Sequence, residues 1–223
     1  MDNIRLSSCD IQTMEKRQRV QLINSLPGFK SANLIGTTDK DGNENVAIVS
    51  SVIHLGSSPA LLGFILRPDT VERHTYTNIQ QTEQYTINAV SEEFYQRAHQ
   101  TSARYPKEVS EFSETGLTPF YDNHFDAPFV LESPIKIGLR LVEIIPIRSN
   151  GTHMIIGEIE RVILPKYALR KDGYINIESL DLMTLSGLDN YHVTQSVGRL
   201  SYAKPDKPIV PLDIDGNTFF IKE

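Results

Sequence analysis

The 223-residue sequence predicts a mainly β fold, a small antiparallel barrel with helical insertions. Two stretches carry hairpin signatures: residues 31–54 around an Asp-Gly turn and residues 135–165 around an Asn-Gly turn. The strands do not alternate regularly with long helices, and the Gly-rich turn of a dinucleotide-binding fold is absent. Both observations argue against a parallel, doubly wound sheet. Because no linker, repeat or low-complexity tract is found, residues 1–223 are predicted to form a single domain.

The first half of the chain is predicted to contain one polar helix followed mostly by sheet. The pair Pro27-Gly28 ends the helix, and the apolar runs that follow are bounded by proline or turn residues, which favours strands. In order, the predicted elements are a helix over residues 11–26, two paired strands over residues 31–54, a strand over residues 60–67, a short helix over residues 74–81 and a strand over residues 85–90.

The second half opens with a polar, helix-compatible segment over residues 91–116, which Pro106 breaks and Gly116 closes. We expect this segment to leave the barrel. A strand at FVLES and the second hairpin follow, and the first long strand of that hairpin alternates apolar and other residues. The tail beyond the hairpin has little periodicity, so no elements are predicted there.

Charge and composition exclude several function classes. The net charge of -6, with no Lys/Arg cluster to offset it, argues against nucleic-acid binding. The single Cys9 excludes an internal disulfide and a cysteine-only metal site, and the six scattered histidines show no metal-ligand spacing. The N-terminus lacks the apolar run of a signal peptide, and no stretch approaches the roughly 20 apolar residues that cross a bilayer. A cytoplasmic protein without a membrane partner is therefore expected.

The stretch from Asn45 to Asn88 is the most informative for function. The apolar run NVAIVSSVIHL carries the small hydroxyl residues Ser50 and Ser51, and the basic, Thr-rich segment RHTYTNI follows downstream. An arginine with hydroxyl and amide donors can bind several phosphate oxygens at once, and the apolar strand suits a flat ring. The stretch therefore indicates a phosphorylated ring cofactor. The alternatives are that the serines only close a strand and that RHT is a solvated helix start with Thr as its cap.

Five motifs, taken in order, resemble the flavin reductase-like family with an FMN-binding split barrel, which includes flavoredoxin. The motifs are NVAIVSS, ERHTYTNIQQTEQYTIN, YPKEVSEFSETGLTP, FVLESPIKIGLRLVEIIP and THMIIGEIERV, and the resemblance covers roughly residues 27–204. It implies a six-stranded antiparallel split barrel of Greek-key type, a homodimer, and FMN held without a covalent bond near the subunit interface. Where the family often has Lys-Asp-Thr, this chain has Arg73-His74-Thr75; the positive charge is kept, and the role of His74 stays open.

The resemblance also implies roles for individual residues. The strand end at Ser50, Ser51 and Val52 would run beside the isoalloxazine ring. The segment with Arg73, Thr75 and Asn78 would bind the phosphate. The full set of implied cofactor-binding residues is Asn45, Ser50, Ser51, Val52, Arg73, Thr75, Asn78, Ser102, Arg104, Lys107, His153 and Tyr191.

The last five of these have ordinary alternatives. Ser102, Arg104 and Lys107 belong to a charged segment that the resemblance implies covers the flavin, but such segments also occur as plain surface. His153 follows the Asn-Gly turn, where the family often places a histidine close to the flavin, and it is the one implied catalytic residue; an exposed hairpin histidine is the alternative. Tyr191 would pack on the cofactor or the nicotinamide, or else in the core.

The function implied is that of an NAD(P)H-dependent flavin reductase that uses FMN, passes hydride to flavin N5 and hands electrons to free flavin or another acceptor. NADH and NADPH are equally open. One alternative is a flavoredoxin-like electron-transfer flavoprotein that does not oxidise nicotinamide and serves a redox partner protein. Another is a non-redox split-barrel protein that binds pyridoxal phosphate or haem.

Overall fold

A computed structural model describes residues 3–68 and 73–218; residues 69–72, and with them Glu72 of the ERHTYTNI motif, lie outside the described residues. The helices are α1 (Ser8–Thr13), α2 (Lys16–Ser25), α3 (His74–Thr82), α4 (Tyr95–Gln100) and α5 (Glu111–Thr115), with one 3-10 helix at Ile177–Leu180. The strands are β1 (Lys30–Ser31), β2 (Asn33–Thr38), β3 (Glu44–Val49), β4 (Ile53–Ser57), β5 (Ala60–Leu66), β6 (Gln84–Ala89), β7 (Pro119–Phe120), β8 (Phe129–Val130), β9 (Lys136–Ile147), β10 (Thr152–Ile163), β11 (Met183–Ser186), β12 (Asn190–Val193), β13 (Arg199–Leu200) and β14 (Pro211–Leu212).

The main sheet is antiparallel and has the strand order β3-β2-β6-β9-β10-β5-β4. Its two edge strands, β3 and β4, are consecutive in the chain and are separated only by residues 50–52. Four steps from Val49 to Ile53 span at most about 14 Å, so the two edges must approach each other and the sheet must curl. The result is the mainly β split barrel that the sequence predicted.

The main sheet has seven strands within the described residues, one more than the predicted six. The extra strand arises because NVAIVSSVIHL, predicted as one strand of the first hairpin up to residue 54, is broken at residues 50–52. Its first part pairs with β2, and its second part crosses to the other edge and pairs with β5. The two long hairpins, β2–β3 and β9–β10, are confirmed with their turns.

Two cores lie on the two faces of the sheet. The barrel interior is filled by buried side chains from α3 and from β2, β5, β6, β9 and β10: Ile35, Phe64, Leu66, Ile79, Tyr85, Ile87, Leu139 and Ile155. The outer face of β2 and β3 is covered by α4 and α5, whose Ala98 and Phe112 pack with Leu34 and Val46. The segment 91–116 therefore leaves the main sheet, as predicted, and it packs as a cover on the outer face of the barrel.

Three local predictions need correction. The helix predicted over residues 11–26 is two helices, because the Glu15 side chain caps a new helix start by accepting from the amides of Arg17 and Gln18. The FVLES strand is reduced to Phe129–Val130. The tail contains a hairpin, β11–β12, that extends from β1 and was not predicted because its four-residue strands are too short for a periodic pattern. Among the described helices, none has both the length and the apolar character needed to span a membrane.

Candidate functional site

The first turn of α3 is a concentration of positive charge. Arg73 is the N-cap residue of this helix, has extended backbone torsions and makes no side-chain capping hydrogen bond. Burial, followed by the nearby positive charges of Arg67 and Arg104, lowers the pKa of Arg73. Within residues 3–68 and 73–218, none of these three arginines pairs with a carboxylate. Three guanidinium groups beside an uncapped helix start favour an anion at this point.

A buried polar network ties this helix to the sheet. The Asn45 side-chain amide donates to the Thr75 hydroxyl at 3.0 Å, and the Asn78 amide donates to the Thr37 hydroxyl at 3.1 Å. A longer bond of 3.4 Å joins Asn45 to Thr37. All four side chains are at least nine-tenths buried. The network therefore fixes α3 on β2 and β3 from inside the barrel, and it occupies much of the hydrogen-bonding capacity of Thr75 and Asn78.

The connection between the two edge strands, residues 50–52, carries open backbone amides. The Ser51 hydroxyl accepts from the Ile65 amide at 3.0 Å and donates to the Ile65 carbonyl at 3.1 Å, which holds the connection against β5. Ser50, Ser51 and Val52 are all half-buried. In the described part of the chain, their three amides find no hydrogen-bond acceptor. Half-buried donors without a partner indicate a place where a ligand can bind.

His153 is the second residue of β10 and lies at the same end of the barrel. It pairs in register with Leu66, the last residue of β5, one residue before Arg67. Its ring stacks on Tyr76 of α3, with centroids 4.7 Å apart and 24° between the ring planes. The end of β5, the start of β10 and the first turn of α3 therefore meet, and the structure brings His153 together with Arg73 and the Ser51 region.

The segment that follows α4 reaches the same place from the outer face. Arg104 is exposed and lies close enough to Arg73 to act on it electrostatically. Ser102 is exposed and makes no side-chain hydrogen bond to any described residue. Lys107 is exposed near Asp39, whose pKa is lowered most by the hydrogen bond from Asn43 and least by the Lys107 charge. Of the three predicted residues of this segment, Arg104 is the one that the structure places near Arg73.

Tyr191 lies in a different environment. Its hydroxyl and the Nδ1 atom of His99 are 2.9 Å apart, and its ring packs at 5.2 Å from Tyr95. Burial, with smaller effects from Asp189 and Tyr95, raises the pKa of Tyr191 to about 12. The side chain packs against the core on the outer face of the sheet. Its predicted cofactor contact thus stays a prediction, while its core packing is observed.

Several residues at this end of the barrel were not predicted. Arg67 is the last residue of the strand predicted over residues 60–67, and a basic residue that ends a strand shortly before the phosphate motif was the available signal. Thr37 lies within the paired strands predicted over residues 31–54. Tyr76 lies within RHTYTNI, where its aromatic ring was a possible signal. Thr101 and Glu111, which bond the edge of β3, carried no signal in the sequence.

Two cavities of the described chain, of about 460 and 490 Å³, lie elsewhere. The first is lined by residues around the β2–β3 turn, and the second is lined by acidic residues and Tyr167. Neither of these two cavities is lined by Arg67, Arg73 or Arg104 or by residues 50–52. The residues that the structure describes contain no cluster of three or more His, Cys, Asp or Glu suited to a metal ion.

Comparison with known families identifies the class of flavin-handling proteins to which this split barrel belongs. Residues 26–178 match the model of the flavin reductase like domain, and the chain belongs to this family. It is thus a flavin reductase-type oxidoreductase with a flavin-related ligand.

Three relatives illustrate the match. A solved split-barrel protein of Shewanella frigidimarina NCIMB 400, assigned as a flavin reductase, is 51% identical with a TM-score of 0.87, over 90% of this chain and 100% of that one. Flavoredoxin of Desulfovibrio vulgaris (Miyazaki F) is 26% identical with a TM-score of 0.67, over 80% and 92% of the two chains. An uncharacterized protein of Aquifex aeolicus is 28% identical over 65% of this chain and 74% of its own.

Proposed function

We propose that the protein is a single-domain, FMN-binding, NAD(P)H-dependent flavin reductase. The observation that carries this proposal is the coincidence, at one end of the barrel, of an arginine cluster and a row of open amides. The cluster consists of Arg67, Arg73 and Arg104, and the amides are those of residues 50–52. A flavin mononucleotide has a phosphate that would bind to the arginine cluster and a flat heterocycle that would lie at the open amides.

The residues present fit this group. Arg73, half-buried and fixed at the helix start, would bind the phosphate directly, and Arg104 would reach it from the outer face. The amides of Ser50, Ser51 and Val52 would donate to the polar edge of the ring. Thr75, Asn78 and Asn45 would act mainly through the network that holds α3, because they are buried and bonded to each other or to Thr37.

A bound flavin supplies the redox chemistry, accepting electrons from reduced nicotinamide and passing them to free flavin or another acceptor. The protein groups bind it and orient it. His153, held by its stack on Tyr76, would orient or polarise the ring system from the β10 side. Ser102, Lys107 and Tyr191 would make contacts with the cofactor or the nicotinamide from the covering segment and from β12. We further propose a homodimer and a cytoplasmic location.

The decisive experiment is a titration of the purified protein with FMN, followed by anaerobic addition of NADH or NADPH. We expect FMN fluorescence to be quenched and the melting temperature to rise, since a ligand of the native state stabilises it by mass action. We then expect one nicotinamide to bleach the flavin absorbance faster than the other. Parallel titrations with FAD and riboflavin separate a phosphate-anchored mononucleotide from other flavins. A protein that leaves FMN fluorescence and its own melting temperature unchanged would contradict the proposal.

A second candidate is an electron-transfer flavoprotein that takes electrons from a redox partner protein, suggested by the likeness to flavoredoxin. The same titration distinguishes the two functions. If FMN binds but neither NADH nor NADPH bleaches it without oxygen, the electron-transfer function is favoured. A non-redox split-barrel protein would show no flavin binding and, when freshly purified, the spectrum of a different ligand.

A further inference from the structure

The outward edge of β3 is covered by side chains instead of a neighbouring strand. The Val46 amide donates to Glu111 Oε2 at 3.1 Å, and the Ile48 amide donates to Thr101 Oγ1 at 2.9 Å. Amides that point to the same side of a strand recur every two residues. The next outward amide is that of Ser50, which has no acceptor among the described residues. The two side chains therefore occupy the edge up to the point where the open amides begin.

The two side chains also mark the ends of one loop. Residues 102–110 leave from Thr101 and return at Glu111, and the amides that hold those two residues are two positions apart on β3. Two positions on a strand correspond to about 7 Å, so a nine-residue loop closes on itself over a short base, as Ω-loops do. The ends of the loop are thus tied to the strand that carries the candidate site.

Both ends are buried and the tip is exposed. Thr101 is 3% exposed and Glu111 is 6% exposed, whereas Ser102, Arg104 and Lys107 are all exposed. Thr101 also donates to the Ala98 carbonyl at 2.8 Å, which closes α4. Ala98 and Phe112, next to the two anchors, pack in the outer core. The base of the loop is therefore held by hydrogen bonds and apolar contacts together.

Glu111 has a second neighbour at the candidate site. Its carboxylate lies near enough to His74, the first residue of α3, to interact with it electrostatically. On the other face of β3, Asn45 bonds Thr75 of the same helical turn. The first turn of α3, which follows Arg73 in the chain, is thereby flanked by Asn45 from β3 and by Glu111 from the loop base.

We propose that Thr101 and Glu111 are positioning residues that anchor residues 102–110 to the edge of β3 and so hold Arg104 beside Arg73 for the phosphate. Neither residue needs to touch the ligand. This inference rests on the proposed flavin function and adds the reason why an exposed arginine on a loop has a defined place.

The test uses the full-length protein, four variants of the two anchor residues, one control variant and an Arg104→Ala background. Thr101→Val and Glu111→Ala remove the acceptor for a β3 amide, while Thr101→Ser and Glu111→Gln keep it. Glu114→Gln, an exposed acid on the same helix α5, is the control. The readouts are the FMN dissociation constant from fluorescence quenching, trypsin cleavage after Arg104 and Lys107, and hydrogen exchange of the Val46 and Ile48 amides. Far-UV circular dichroism confirms that each variant is folded.

We expect Thr101→Val and Glu111→Ala to raise the FMN dissociation constant about 3- to 10-fold and to speed up cleavage and exchange. The two conservative variants and the control should resemble the wild type. A double-mutant cycle tests whether Thr101 acts on FMN binding through Arg104. In an Arg104→Ala background, Thr101→Val should cause no further loss of FMN affinity. Should Glu111→Ala fail to fold, the Thr101 pair and the cycle decide the question.

Two results would overturn the positioning role even though the wild type binds FMN. One is faster cleavage and exchange in Thr101→Val with FMN affinity at the wild-type value, which would leave the anchors a purely structural role. The other is that Thr101→Val lowers FMN affinity by as much in the Arg104→Ala background as it does in the wild type. If the wild type itself fails to bind FMN while its β3 amides are protected, the proposed function is wrong, and the positioning role is overturned with it.

Discussion

The Ser51 hydroxyl is bonded to both backbone groups of Ile65, accepting from its amide at 3.0 Å and donating to its carbonyl at 3.1 Å. Ser51 lies in the connection between the two edge strands of the main sheet, and Ile65 lies in β5. The Ser51 hydroxyl thus replaces a pair of backbone hydrogen bonds between strands at the point where the chain passes from the β3 edge of the sheet to the β4 edge. The position of the open amides at residues 50–52 depends on this link.

We expect Ser51→Ala to lower the free energy of unfolding by about 1–2 kcal/mol, because two hydrogen bonds to half-buried backbone groups are lost. FMN binding should weaken by about 1 kcal/mol as the connection loosens. Urea denaturation and FMN titration measure the two effects. Ser50→Ala is the control, since the Ser50 hydroxyl makes no hydrogen bond to a described residue. Equal stability of the two variants would contradict the structural role of Ser51.

Arg73→Ala should weaken FMN binding by about 1.5–3 kcal/mol, the size of a charge-assisted hydrogen bond to a phosphate. Its removal relieves repulsion from Arg67 and Arg104, so the melting temperature of the free protein should not fall. Fluorescence titrations at low and high salt measure the affinity and its screening. Arg17→Ala, in an exposed position of α2, controls for the loss of one positive charge. An unchanged FMN affinity would exclude Arg73 from the phosphate site.

Thr37→Val tests the buried polar network. Thr37 is fully buried and accepts from both Asn45 and Asn78, so the substitution removes the acceptor of the Asn78 amide and one of the two acceptors of the Asn45 amide. We expect a loss of about 1–3 kcal/mol in the free energy of unfolding, with weaker FMN binding because α3 is less firmly held. Thr38→Val, at the next position of β2, is the control, because its hydroxyl bonds no described residue. Chemical denaturation that gives equal losses for both variants would refute this role.

Glu111 should make stability depend on pH. Burial raises its pKa above the usual value of 4.5, with opposing effects from the amides of Glu111 and Val46 and from His74. The folded protein therefore holds this proton to higher pH than the unfolded chain does, and stability is lost as the pH rises from about 4.5 through the raised pKa.

Glu111→Gln keeps the hydrogen-bond acceptor and removes this titration. The variant should melt at a higher temperature than the wild type at neutral pH, and the difference should shrink as the pH falls towards 4.5. Thermal melts across this range, with Glu114→Gln beside them, provide the measurement. A difference that does not vary with pH would show that the Glu111 carboxylate is not destabilised by burial.

His153→Phe separates the two possible contributions of the histidine. Phenylalanine can keep the ring contact with Tyr76, so the melting temperature should stay close to that of the wild type. The imidazole nitrogens are lost, and we expect reduced nicotinamide to bleach the bound flavin roughly 100-fold more slowly, as when one polarising donor is removed. Stopped-flow absorbance under anaerobic conditions measures the rate. A rate equal to that of the wild type would limit His153 to ring packing.

Local chemistry accounts for what could be predicted. The Asp-Gly and Asn-Gly turns and the alternation of apolar residues define the two long hairpins within a single stretch of chain. The seven consecutive residues RHTYTNI were likewise enough to predict a helix start that carries Arg73 and Thr75. The predicted helix over residues 11–26 was wrong at its centre, because the capping of a new helix by Glu15 depends on side-chain geometry.

Local patterns along the chain were enough to predict the class of fold, the positions of the long strands and the motif with Arg73, since each depends on sequence neighbours. The folded chain was needed to see that Asn78 bonds Thr37, 41 residues away, and that Glu111 covers the Val46 amide, 65 residues away. Such contacts require a curled sheet and a covering segment that is folded back onto it. They depend on three-dimensional distances, for which a single sequence carries no local pattern.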